Sequence, residues 1–136
     1  MGRWQKLSDH PLLICDTGHN TGGITYITQQ IKSIVYDHLH IVIGMVNDKD
    51  IRGVLNLLPQ DATYYFTKAS VKRALPEEEL KRTAREFGLH GNTYPTVTEA
   101  VRDAQEKSLP KDFIFVGGSS FIVADLLANR NALDLD

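Results

Sequence analysis

Apolar residues in this chain fall into two patterns that alternate from end to end. Short β-branched or aromatic runs occur at 12–15 (Leu-Leu-Ile-Cys), 39–45 (Leu-His-Ile-Val-Ile-Gly-Met), 62–67 (Ala-Thr-Tyr-Tyr-Phe-Thr) and 112–116 (Asp-Phe-Ile-Phe-Val). These read as strands, with a shorter one at 91–94. The run at 39–45 is nearly continuous in its hydrophobicity, which suits a central strand covered on both faces. Between the runs, apolar residues recur at three- and four-residue steps. Ile24, Ile27, Ile31 and Ile34 predict a helix over 21–36, capped by Asn20 or Thr21. Ile51, Val54, Leu55 and Leu58 predict a helix over 48–58, and Val97, Ala100, Val101 and Ala104 one over 96–106. A helix over 76–87 has Pro76 in its first turn, three glutamates behind it and Gly88 to end it, all favourable positions. A last helix spans 121–128, and 129–136 reads as a frayed end.

Strand–helix alternation of this kind implies an α/β fold: a Rossmann-like, three-layer domain with a mostly parallel sheet and helices on both faces. The length of 136 residues suits one domain, 1–136, with no linker or internal repeat. A net charge of −2 provides no basic field for nucleic acid. One cysteine excludes an internal disulfide and a cysteine-based zinc cage, and Cys15, inside an apolar strand, reads as a small buried hydrophobe. No run reaches the roughly 20 apolar residues that span a bilayer, and no secretory signal opens the chain, so the expected compartment is the cytoplasm.

Polar clusters stand at three strand ends: Asp16-Thr17-Gly18-His19-Asn20, Asn47-Asp48-Lys49-Asp50, and Gly117-Gly118-Ser119-Ser120. Ligands of open α/β sheets bind beyond the carboxyl ends of the strands, so topology predicts that these clusters converge. Each residue carries two readings. Asp16 is an acceptor for ribose hydroxyls or a turn aspartate. His19 is a donor to a carboxylate or phosphate, or an imidazole packed at a turn. Arg3 is a planar fork for phosphate or ribose, or an exposed arginine. Asp48 and Asp50 are oxygen ligands for a hard cation, or helix caps. The Gly117–Ser120 turn is an anion-binding loop, or a tight turn whose serine caps the next helix. Lys72-Arg73 is a phosphate contact or a solvated loop.

Three absences narrow the field. The chain has no G-x-x-x-x-G-K-[ST], no G-x-G-x-x-G after the first strand and no G-x-S-x-G. It therefore lacks a P-loop, a dinucleotide-binding turn and an esterase elbow, and is not a self-sufficient nucleotide enzyme.

Gly2-Arg3-Trp4-Gln5, followed by an apolar strand and Asp16-x-Gly18-His19-Asn20, resembles the third domain of the folylpolyglutamate synthase/dihydrofolate synthase branch of the Mur ligases, whose pattern is G-R-[FWL]-Q and then D-[GA]-A-H-N-P. The segment 44–50 resembles that family's G-M-x-x-D-K-D, Arg73-Ala74-Leu75 its loop before a helix, and 116–121 its V-x-G-S-L-Y. The motifs follow in order over nearly the whole chain. Departures are Thr17-Gly18 for G-A, Thr21 for proline and Ser120 for leucine, with local adjustment expected.

The resemblance implies the C-terminal domain of a ligase that uses ATP and magnesium to join L-glutamate to dihydropteroate or a reduced folate through an acyl phosphate. It implies ATP contacts from Arg3 and Asp16, and groups near incoming glutamate from His19 and Ser119. It also implies a central P-loop domain in the same parent chain, which holds the Mg2+ ligands, and a fragment inactive alone. Arg3 arrives with no leading element, which fits a domain cut from something longer. The competing readings are a stand-alone nucleotide- or anion-binding module and a metal-dependent phosphoesterase built on Asp16, Asp48 and Asp50.

Overall fold

The computed structural model describes residues 2–47 and 50–135; Asp48 and Lys49 of the second polar cluster lie outside the described residues. Strands β1 (Gln5–Asp9), β2 (Leu12–Cys15), β3 (Leu39–Ile43), β4 (Thr63–Phe66), β5 (Gly91–Thr93) and β6 (Phe113–Gly117) form one sheet in the order β1-β2-β6-β3-β4-β5. All neighbours from β2 to β5 are parallel; β1 pairs antiparallel with β2 at the edge. The helices are α1 (Thr21–Lys32), α2 (Ile51–Leu55), α3 (Glu77–Arg85), α4 (Val97–Lys107) and α5 (Ser120–Ala128).

Successive side chains of a strand point to opposite faces, and here both faces are apolar. Ile14, Ile41, Ile43, Phe113 and Phe115 pack on one side with Ile24, Ile27 and Ile31 of α1, Val54 and Leu55 of α2, and Leu80 and Ala84 of α3. Leu13, Cys15, Val42, Ile114 and Val116 pack on the other with Val97, Ala100, Val101 and Ala104 of α4 and Ile122, Val123 and Leu126 of α5. The result is the expected three-layer α/β arrangement. It has one topological consequence: the chain leaves β6 toward the α4–α5 face, whereas it leaves β2 and β3, on either side of β6, toward the α1–α3 face. Crevices therefore open on both flanks of β6 at the carboxyl edge of the sheet.

The structure corrects the sequence reading at four places. Strand β1 was not expected. Leu7 is the apolar residue of Gln-Lys-Leu-Ser-Asp, so alternation is barely present, and the pairing with β2 shifts register between Lys6 and Ser8. A short, polar, irregular strand is what a sheet edge favours, because it resists pairing with other chains. Helix α1 stops at Lys32, where the Ser33 hydroxyl donates to the Gln30 carbonyl at 2.6 Å. Ile34 continues the apolar rhythm but packs from the loop. Helix α2 is a short Ile51–Leu55 segment rather than 48–58. The carboxyl-terminal segment is docked, not frayed: a 3-10 turn at Arg130–Ala132 leads to buried Leu133, and Arg102 donates to the Ala132 carbonyl at 3.2 Å.

A buried polar chain lies at the amino-terminal end of the sheet. His40 of β3, 4% exposed, bridges Tyr65 of β4 (Nδ1 to hydroxyl, 2.8 Å) and Asp112 before β6 (Nε2 to Oδ2, 3.0 Å). The Leu109 amide also donates to Asp112 at 3.0 Å. An ionised Asp112 is acceptor-only, so Nε2 carries the proton and Nδ1 accepts from Tyr65. Burial pushes His40 below its ordinary value despite Asp112, with the His38 ring 4.8 Å away and Lys107 of α4 adding to the depression. Burial acts to raise Asp112, but hydrogen bonds from His40 and the Leu109 amide hold it below its ordinary range.

The two groups act in separate pH windows. A histidine with a depressed folded pKa stabilises the fold fully above its unfolded value of 6.5, and that stability declines as pH falls through it. The Asp112 contribution persists until pH drops below 3.8. Urea unfolding at intervals from pH 8 to 5 should therefore show constant stability down to about 6.5 and a decline below it. His40→Gln should flatten that decline. Parallel curves for the two proteins would assign the decline to other groups.

Candidate functional site

The site is built from the loops that follow β2, β6, β3 and β4, and its anchor is Asp16. This carboxylate follows the last residue of β2 and is 1% exposed. Oδ2 accepts from the Trp4 amide at 2.8 Å, and Oδ1 accepts from the Gly18 amide at 2.8 Å. Arg3 adds an ion pair, Nε to Oδ1, at 3.5 Å, with its own side chain 68% exposed. One buried acid thus fixes two loops: the Gly2–Gln5 segment leading into β1 and the turn leading into α1.

The Gly2–Gln5 segment needs such fixing. Trp4 has φ 45°, in the left-handed region that a bulky residue rarely adopts. Its amide hydrogen bond and its ring hold it there: the indole stacks on Phe115 at 6.1 Å and meets Phe113 edge-on at 6.3 Å. The Thr17 amide donates to the Gly2 carbonyl at 2.8 Å, and the Gly2 amide to Gln5 Oε1 at 2.7 Å. Next to the pinned Trp4, the Arg3 side chain is exposed and pairs with Asp16 at the end of β2.

The turn after Asp16 carries His19 and Asn20. Asn20 caps α1, accepting from the Gly23 amide at 2.8 Å, which selects the capping reading of that residue. A Cβ on Gly18 would come within 2.9 Å of Ile27 Cδ1, so an alanine at this position would require Ile27 to shift. His19 is exposed, with Nδ1 3.3 Å from the Thr17 carbonyl. It is therefore not packed in the core.

Gly118, at φ 99°, makes the turn after β6, where a Cβ would run into the Gly44 carbonyl oxygen. Ser119 then caps α5, its hydroxyl accepting from the Phe121 and Ile122 amides at 3.1 and 3.3 Å. Capping uses the oxygen as acceptor and leaves the hydroxyl proton for another partner. Asp50 caps α2 through the Gly53 amide at 2.9 Å.

Arg73 arrives by a route that the sequence did not show. The loops after β3 and β4 pair through an antiparallel bridge between Val46 and Ala74. The Asn47 amide donates to the Arg73 carbonyl at 2.7 Å and the Leu75 amide to the Met45 carbonyl at 2.8 Å. The start of the second loop is tied to α5, where Asp125 accepts from the Ser70 amide at 2.8 Å and the Ser70 hydroxyl at 3.1 Å. A pocket of about 220 Å³ results, lined by His19, Val46, Arg73, Ser119, Ser120 and Phe121. The predicted residues thus fall into two adjoining groups: Arg3 with Asp16, and His19 with Ser119.

Among the described residues no three His, Cys, Asp or Glu side chains gather as a metal set. The phosphoesterase reading loses Asp16 to burial and Asp50 to capping, while Asp48 lies outside the described residues. Cys15 is a packed thiol, pushed up to about 11 by burial and by neighbouring Asp16.

Removing the anchor leaves two inward-facing amides without their acceptor. Hydrogen bonds to a charged group contribute about 1.5–3 kcal/mol each, so Asp16→Ala should cost roughly 3 kcal/mol in urea unfolding. Asp16→Asn, which keeps one acceptor oxygen, should cost less. A loss under about 1 kcal/mol for Asp16→Ala would show that the amides find other partners.

Residues 2–120 match the family described as Mur ligase, glutamate ligase domain. The chain is 30% identical over 134 residues to a dihydrofolate synthase/folylpolyglutamate synthase of Buchnera aphidicola subsp. Acyrthosiphon pisum, covering 93% of this chain and 31% of that protein. It is similar in structure to E. coli FolC in complex with DHPP and ADP, with TM-score 0.87 and 29% identity over 96% of this chain and 31% of that one. A bifunctional folylpolyglutamate synthase/dihydrofolate synthase with Mn, AMPPNP and L-glutamate bound gives TM-score 0.85 and 28% identity, with the same coverage. The chain spans between 15% and 31% of the length of these and other curated relatives. On the match over residues 2–120, the chain belongs to the Mur ligase family and represents its glutamate ligase domain.

Proposed function

We propose that residues 1–136 form the C-terminal domain of an ATP-dependent folate ligase, one that adds L-glutamate to dihydropteroate or a reduced folate. The carrying observation is Arg3, exposed and paired with buried Asp16 at the end of β2, on the same carboxyl edge of the sheet as a pocket lined by His19 and Ser119. The relatives support the reading: their solved structures bind ADP or AMPPNP, DHPP, Mn and L-glutamate.

In such a reaction a substrate carboxylate oxygen attacks the γ-phosphorus of ATP and ADP leaves. The amine of glutamate then attacks the acyl carbon, phosphate departs and an amide remains. Both reactants and the transferred phosphoryl group are anionic. Cationic and donor groups aimed at developing charge, in a site closed to water, lower the barrier and protect the acyl phosphate from hydrolysis. Arg3 supplies a permanent charge and a planar fork for phosphate or ribose oxygens. Asp16 aims it; at 1% exposure, its effect on the nucleotide passes through Arg3 and the backbone of Trp4. His19 and the Ser119 hydroxyl face the incoming amino acid.

A P-loop is missing from the sequence, so a central domain of the same parent chain would cradle the phosphates. That domain would also hold Mg2+, which neutralises phosphate charge when bound. Closure of the glutamate ligase domain onto it would complete the site only with ATP in place. No described helix is long and apolar enough to cross a membrane, and we assign the parent ligase to the cytoplasm.

In the parent enzyme, Arg3→Ala should lower kcat/KM for ATP by about 10- to 100-fold in ATP-dependent glutamate addition, the loss of one charge-assisted contact. Unchanged kinetics would remove Arg3 from the nucleotide site. The 136-residue chain alone should give no ligated product from ATP, glutamate and dihydropteroate. Turnover by the isolated chain would overturn the split-site reading.

A further inference from the structure

We propose that Gln5 is a positioning residue for the nucleotide contact: its side-chain carbonyl holds the Gly2 amide and so sets the backbone from which Arg3 reaches phosphate or ribose. The inference rests on the Arg3 role proposed above and adds to it a residue that acts through the main chain.

Backbone conformation comes first. Arg3 lies between two residues in the left-handed region, Gly2 at φ 77° and Trp4 at φ 45°. A residue with a side chain keeps that conformation only where its surroundings over-determine it. Gly2 adopts it without strain. A Cβ there would still come within 3.0 Å of Thr17 Cγ2 and 3.3 Å of Val123 Cγ1, so the segment runs tight against the turn after β2 and against α5.

Hydrogen bonds come next. Both left-handed residues have their amides taken by side chains. Gly2 donates to Gln5 Oε1 at 2.7 Å, and Trp4 donates to Asp16 Oδ2 at 2.8 Å. The Gly2 carbonyl in turn accepts from the Thr17 amide at 2.8 Å. Arg3 is thus flanked on one side by a residue held at both its N–H and its C=O, and on the other by one held at its amide and its ring.

The two clamping side chains share an origin. Gln5 opens β1 and pairs with Cys15, the last residue of β2, and Asp16 follows Cys15. Strand pairing therefore brings Gln5 and Asp16 to the same end of the β1–β2 pair, one reaching Gly2 and the other Trp4. Because the Gly2 group is an N–H donor, only the carbonyl oxygen of the Gln5 amide can serve. The Arg3 side chain is 68% exposed, and a long side chain loses rotamer freedom when it engages a ligand. Fixing its main chain beforehand lowers the ordering that binding requires.

The test is a double-mutant cycle in the parent ligase, read as kcat/KM for ATP and KM for L-glutamate. Gln5→Met, similar in size but without the acceptor, should lower kcat/KM for ATP by about three- to tenfold and leave KM for glutamate within about twofold. Gln5→Asn, one carbon shorter, should act in the same way. Gln5→Glu, which keeps an acceptor oxygen, should retain more of the wild-type value than either. In the Arg3→Ala background, Gln5→Met should cost no more than about twofold further, because its effect passes through Arg3. An unchanged kcat/KM for ATP in Gln5→Met, or a loss that multiplies with that of Arg3→Ala, overturns the proposal; the second result would make Gln5 a structural residue only. Wild-type kinetics in Arg3→Ala would instead overturn the nucleotide role of Arg3 on which the proposal rests.

Discussion

A single buried carboxylate organises the working edge of this domain. Asp16 sits where β2 ends, and its two oxygens hold the amides of Trp4 and Gly18 from opposite sides. Burying a charge is costly unless it is paired and hydrogen-bonded, so the site tolerates Asp16 only with both loops in place. The dependence also runs the other way. Without the carboxylate, the Trp4 and Gly18 amides lose their shared acceptor and Arg3 its ion-pair partner, leaving the stacked indole and the Asn20 cap to hold the two loops. Asp16 is therefore a structural residue of this edge: it fixes the backbone that carries Arg3.

The two ends of the sheet contrast. At the amino-terminal end, Tyr65, His40 and Asp112 satisfy one another in a closed chain, with the histidine kept neutral by burial. At the carboxyl end, polar side chains from the loops after β2, β4 and β6, with Val46 from the loop after β3, line a shared pocket. The difference follows from topology. The chain leaves β6 for one face of the sheet and its neighbours for the other, so the loops at that edge diverge and leave a crevice. Polar side chains from the loops after β2, β4 and β6 are thus gathered along one edge of a chain that carries no P-loop.

Most of the fold was legible because its signals are local. Five parallel strands and five helices follow from runs and periodicities whose residues are buried where the pattern says, such as Ile24, Ile27 and Ile31 on α1 and Val97, Ala100, Val101 and Ala104 on α4. The elements that escaped have weak local signals. Strand β1 is held by its partner and by Asp16, not by an alternating pattern. The carboxyl-terminal segment looked too polar to pack, yet Leu133 finds the α4–α5 face and Arg102 holds the adjacent carbonyl.

The sequence by itself determined the class of fold, the three polar strand ends and, through ordered motifs, the family. Each depends on residues near one another in the chain, or on a pattern of residue types at fixed spacing. Tertiary structure alone decided how those residues divide their tasks. It buried Asp16 and exposed Arg3, turned Asn20, Asp50 and Ser119 into helix caps, and brought Arg73 from a distant loop to the pocket of His19. The reason is physical: burial, backbone hydrogen bonding between loops and the side of the sheet to which each connection turns are set by contacts far apart in sequence.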